Sequence, residues 1–143
     1  MSRVQIFAIS TKNHSASKGG IKKYNLYGSG SKSIIVIEDN MVAQTWTLVP
    51  AGVTEERVFL QHADTKEWAF APLKNEGQNV FTTPTEKLRS VWRIVEHDGI
   101  ATIHLEVRDD LMWGIEEANN QAADIQVLLR TGEEDERNQW ELR

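Results

Sequence analysis

The 143-residue chain contains no cysteine. Its fold can therefore lean on neither a disulfide nor a thiolate zinc site, and thiol catalysis is excluded. That absence suits a reducing compartment. The amino-terminal stretch MSRVQIFAIS lacks the long apolar core of a secretory signal, and no run approaches the roughly 18 to 20 apolar residues that cross a bilayer. A cytoplasmic protein without a membrane partner is expected. Acidic residues are missing from the first part of the chain, where Arg3, Lys12, Lys18, Lys22, Lys23 and Lys32 all precede the first carboxylate, Glu38. Beyond it the chain is strongly acidic, and the net charge is -5. Such a balance argues against a general nucleic-acid surface and leaves room for a local cationic face.

Catalytic patterns are missing as well. His14, His62, His97 and His104 are scattered, with no pair spaced to share a helix face as metal ligands. His104 alternates inside ATIHLEV and reads as a strand histidine. Asp109 with Asp110, and Glu116 with Glu117, are neighbours in sequence, so on a strand the members of each pair diverge and cannot flank one bond. The stretch GSGSKS at 28–33 has neither the spacing nor the following helix of a phosphate loop, since IIVI comes next. Serines lack a Gly-x-Ser-x-Gly elbow. No enzyme, cofactor or metal site is expected.

What the chain does have is a period. Trp46, Trp92 and Trp140 lie 46 and 48 residues apart, and each is followed two residues later by Leu48, Ile94 or Leu142. A strand puts i and i+2 on one face, so each phrase reads as a half-buried strand whose Trp anchors the core. Ile35, Val80 and Ile125 repeat every 45 residues, and Tyr24, Trp68 and Trp113 follow at 44 and 45. Strands are expected near 4–9, 24–27, 34–37 and 45–49, then 57–61, 67–71, 79–82 and 91–95, then 101–107, 111–115, 125–129 and 138–142. The best helical candidate, GIEEANNQAADIQ, holds Gly114 and an Asn119-Asn120 pair that suit a turn better. Twelve strands in three repeats of about 45 residues, approximately 1–50, 51–97 and 98–143, define an all-β, single-domain β-trefoil with Trp46, Trp92 and Trp140 equivalent in one barrel core.

Two resemblances follow from these residues. VAQTW and RNQWEL resemble the Gln-x-Trp signature of ricin-B-like lectins, with Gln44 and Trp46 in place, Ser90 replacing the Gln in the second unit and Asn138 in the third. VWRIVEHDG and DLMWGIEEANNQAADIQVLL, over residues 91–143, resemble the mushroom serine-protease inhibitors of the cnispin and cospin type. The second resemblance implies a fungal inhibitor, defensive or regulatory, that offers a basic residue on a rigid loop to a trypsin-like protease.

Two loops qualify. YGSGSKSI presents Lys32 and Ser33. RTGEEDERN, with Arg130 and Thr131, is the connection that outgrew its siblings, because Ile125 to Trp140 spans 15 residues whereas Ile35 to Trp46 spans 11. The alternative partner is a glycan, for which a carboxylate beside an aromatic has the right chemistry. Asp64 with Trp68, and Asp109 or Asp110 with Trp113, are the candidates, although Trp68 and Trp113 in register with Tyr24 also suit structural anchors. Lys12, Lys18, Lys22 and Lys23 form a third possibility, a cationic face for a sulfated glycan or an acidic protein. Which loop binds, which target is bound and the oligomeric state stay open.

Overall fold

The segment RVFLQH at 57–62 shows how this chain makes its strands: Val58, Leu60 and His62 are buried, while Arg57, Phe59 and Gln61 alternate with them toward the outside. The computed structural model describes residues 2–11, 14–18, 32–38, 44–116 and 125–143. The first unit holds β1 (Ser2–Ala8), β2 (His14–Lys18), β3 (Lys32–Glu38) and β4 (Thr45–Pro50). The second holds β5 (Arg57–His62), β6 (Trp68–Phe70), β7 (Phe81–Thr83) and β8 (Trp92–His97). The third holds β9 (Ile100–Leu105), β10 (Arg108–Gly114), β11 (Ile125–Gln126), β12 (Leu128–Arg130) and β13 (Trp140–Leu142). β11 and β12 are two parts of one strand interrupted at Val127, which restores four per unit. Among the described residues the helical segments are two 3-10 turns, Glu86–Leu88 and Glu136–Asn138, and no helix is long and apolar enough to cross a membrane.

Pairing closes a ring. β1 pairs with β4, β4 with β5, β5 with β8, β8 with β9, β9 with β13, and β13 with β1 again, so the barrel has six antiparallel strands and no free edge. The hairpins β2–β3, β6–β7 and β10–β12 cap one end, joined to one another through β3–β7 and β3–β11. The chain is a β-trefoil. The strands expected from the sequence correspond to described strands except at 24–27, which lies outside the described residues together with Tyr24; the second described strand of the first unit is β2.

The repeated Trp sits at equivalent places in the ring. Trp46 is flanked by Val4 and His62, Trp92 by Val58 and Leu105, and Trp140 by Ala101 and Ala8. Each indole N–H donates to a carbonyl on the second strand of its own unit: Trp46 to Ala16 at 3.2 Å, Trp92 to Ala69 at 3.3 Å and Trp140 to Trp113 at 3.0 Å. A buried polar tip is thereby satisfied three times. These bonds also define Ala16, Ala69 and Trp113 as equivalent, which corrects the Tyr24–Trp68–Trp113 register: in the second unit the series is one residue out. On a strand that slip reverses the face. Trp113 points inward and Trp68, paired with Gln61, points outward.

The inward Trp113 has no solvent exposure and meets all three anchors edge-on, at ring-centre separations of 6.1 Å to Trp46, 5.7 Å to Trp92 and 5.9 Å to Trp140. One large side chain thus fills an axis that two alanines could not. Its own indole N–H reaches no acceptor among the described residues, a cost the edge-on packing must offset. Replacing Trp113 with Ala should lower unfolding free energy by about 3–5 kcal/mol through the cavity it opens. Trp113→Phe, which also removes the orphaned donor, should cost less than half as much in the same denaturant titration.

Candidate functional site

Neither Lys32 nor Arg130 is presented as an exposed reactive residue. Lys32 and Ser33 are the first residues of β3, paired with Thr82 and Phe81. The Ser33 side chain is buried, and the Lys32 ammonium lies 3.9 Å from Glu67, whose other carboxylate oxygen accepts from Thr82 Oγ1 at 2.8 Å. A peptide bond held in a ladder cannot insert into a protease cleft. Arg130 ends β12 and turns inward, its side chain 13% exposed. Nε donates to Asn138 Oδ1 at 2.8 Å, Nη2 to Asp135 Oδ2 at 3.1 Å, and Nη1 lies 3.0 Å from Glu116. Thr131 is exposed and donates from Oγ1 to Glu76 at 2.8 Å.

The long third-unit connection is instead a structural clamp. Asn138 Nδ2 donates to the carbonyls of Thr131 and Gly132 at 2.9 and 2.8 Å, with Gly132 at the left-handed φ of 103°. Asp135 caps the second 3-10 turn by accepting from the Arg137 amide. Hydrogen bonds from the Arg137 side chain, with further support from that amide and from the charges of Arg137 and Arg130, hold its carboxyl well below the ordinary carboxylate value. Gly114 leaves the space this needs, because a Cβ there would overlap Asn138 Oδ1 and the Arg130 side chain.

The carboxylate–tryptophan pairs do not form sugar platforms either. Trp113 is in the core, Asp110 is paired with Arg108 and Asp109 with Arg93. Asp64 is exposed on the turn after β5, but Trp68 is 9% exposed beneath the Arg89 guanidinium. His104 is wholly buried: Nδ1 donates to the Asp109 carbonyl at 2.7 Å and Nε2 lies 2.7 Å from Thr102 Oγ1. Among the described residues no group of three or more His, Asp or Glu could hold a metal. Lys12, Lys22 and Lys23 lie outside the described residues, as does the Lys18 side chain.

A different cluster emerges on the outer face of the second unit. Phe59 and Trp68 meet edge-on at 6.1 Å, and Arg89 lies over both, 3.6 Å from the Phe59 ring centre and 4.5 Å from that of Trp68. Such cation–π contacts contribute about 0.5–2 kcal/mol. Arg89 follows the 3-10 turn, where its Nη1 also donates to Glu86 Oε1 at 2.9 Å. Ser90, at the Gln position of the Gln-x-Trp phrase, ties this segment to β6 by accepting from the Ala71 amide at 2.9 Å. Phe59, Glu86, Lys87 and Arg89 line a shallow open groove. The sequence signal for it was Phe59, an aromatic in the outward phase of β5.

Neither a protein-family description nor a curated protein sequence matches the chain. Solved structures match over nearly its whole length. It is similar to the Rhizoctonia solani agglutinin (16% identity, TM-score 0.78, covering 99% of this chain and 93% of that one). It is similar also to the Macrolepiota procera ricin B-like lectin in complex with lactose (13%, TM-score 0.76, 99% and 94%) and to the designed threefold-symmetric protein ThreeFoil (16%, TM-score 0.76, 98% and 96%). At these identities the likeness establishes the fold. The reading as a serine-protease inhibitor is overturned: the fungal trefoils matched are lectins, and Lys32, Ser33 and Arg130, the residues proposed to enter a protease, are held in the scaffold.

The Asp135 clamp predicts a pH effect. Because its folded-state carboxyl is shifted downward, its stabilisation is present above the unfolded value near 3.8 and is lost as pH falls through the folded value. Asp135→Asn should therefore be less stable than the parent at neutral pH, and the gap should narrow progressively on acidification below about pH 4. Denaturant unfolding at a series of pH values measures it; a constant gap would show that the charge is not what matters.

Proposed function

We propose that this protein is a carbohydrate-binding protein that works by recognition rather than catalysis, and that it binds glycans at the groove on its second unit. The observation that carries the reading is the Phe59–Trp68–Arg89 stack beside Glu86 and Lys87. A sugar ring presents C–H groups on one face and hydroxyls around its rim, so it needs an apolar wall next to donors and acceptors. Phe59 supplies part of that wall, and the Glu86 carboxylate, Lys87 ammonium and Arg89 guanidinium supply the polar contacts. Rigidity comes from the ladder under Phe59 and the Ser90 bond behind the turn, which limits the entropy lost on binding. Lectin function among fungal proteins of the same fold, one of them seen with lactose, supports the reading.

A glycan array followed by calorimetry on the sugars retained tests this. Phe59→Ala should weaken binding by about tenfold or more while the protein remains folded by near-UV circular dichroism. Full affinity in that variant would place the site elsewhere. Silence across the array would remove the reading.

A further inference from the structure

We infer that the second-unit groove recognises a sugar bearing a carboxylate, a statement that rests on the glycan-binding reading above. Arg89 is the reason. Its guanidinium carbon is held against two aromatic rings, and its Nη1 is already bonded to the carboxylate of Glu86, a side chain 66% exposed where Arg89 is 24% exposed. The site thus accepts a carboxylate from the solvent side, and the one it holds is on an exposed side chain that can swing away. Nη2 and Nε have no acceptor among the described residues. Those two donors form an edge that matches the two oxygens of a carboxylate. Beside it Lys87 is exposed and makes no ion pair among the described residues, so the groove carries a net positive charge on a chain whose net charge is -5.

The equivalent positions in the third unit lack this arrangement. Three residues before its repeated Trp the third unit has Arg137, whose donors are directed to Asp135 and the Glu116 carbonyl. The residue equivalent to Phe59 by strand pairing is Thr102, which offers no ring. A guanidinium spent on its own loop cannot receive a ligand.

Two probe pairs test the carboxylate by calorimetry: sialyllactose against lactose, and digalacturonic acid against its methyl ester. At least one acidic member should bind about tenfold more tightly than its neutral counterpart at low salt, and the advantage should shrink as salt rises. Lys87→Gln, at an exposed position, should reduce that advantage severalfold, and Arg89→Gln should abolish it. A preference within the first pair alone names a sialic acid as the source, and within the second alone a uronic acid. Equal binding of acidic and neutral members, or a preference untouched in both variants, overturns the inference while leaving glycan binding intact. Silence across a whole glycan array overturns both.

Discussion

Three indole N–H groups hold this trefoil together. Each links a barrel strand to the hairpin of its own unit, across 30 residues for Trp46, 23 for Trp92 and 27 for Trp140, and does so from a fully buried side chain. A hydrogen bond in that setting contributes modestly when made and costs more when broken, because the donor would be left dry. The three bonds therefore fix where each hairpin cap sits relative to the barrel. Once the caps are fixed, their ends meet through β3–β7 and β3–β11, and the open mouth of the barrel is closed.

The same constraint explains why the protein is not threefold symmetric where it matters. Three large residues at the positions of Ala16, Ala69 and Trp113 would collide on the axis, and three alanines would leave it hollow. One Trp and two alanines fill it, with Trp113 edge-on to all three anchors. Asymmetry in the core is matched by asymmetry outside. Strand pairing places Phe59 and Thr102 at corresponding outward positions, and Arg89 and Arg137 each precede a core Trp by three residues. These outward side chains do not fill the shared core, so they are free to differ: in the third unit Arg137 joins the Asp135 clamp, and in the second they assemble a groove.

The fold was legible because its determinants are periodic and local: Trp, then Leu or Ile two residues on, three times over, with spacings near one repeat length. The register of the second strand was not, because Trp68 and Trp113 are alike in sequence yet face opposite ways. Only the carbonyl that receives each indole shows that Ala69, not Trp68, corresponds to Trp113. The basic residues misled for a related reason. A lysine or arginine in a polar stretch looks exposed, but Lys32 meets Glu67 and Arg130 meets Asn138, Asp135 and Glu116, and Glu67 and Glu116 are far from them in the chain. The groove went unread because Phe59, Trp68 and Arg89 come from β5, β6 and the segment before β8.

Arg89 joins the scaffold to the chemistry. Two aromatic side chains on the outward face of a barrel would otherwise present an apolar patch to water, and the Arg89 guanidinium covers part of that surface while Phe59 stays half-buried. Covering and recognition then make the same demand on the residue. A lysine could supply the charge, but a compact ammonium would not present two parallel donors. The planar cation serves because its central carbon meets the rings while Nε and Nη2 find no acceptor among the described residues, so the contact that partly covers the aromatics also leaves an edge for an incoming anion.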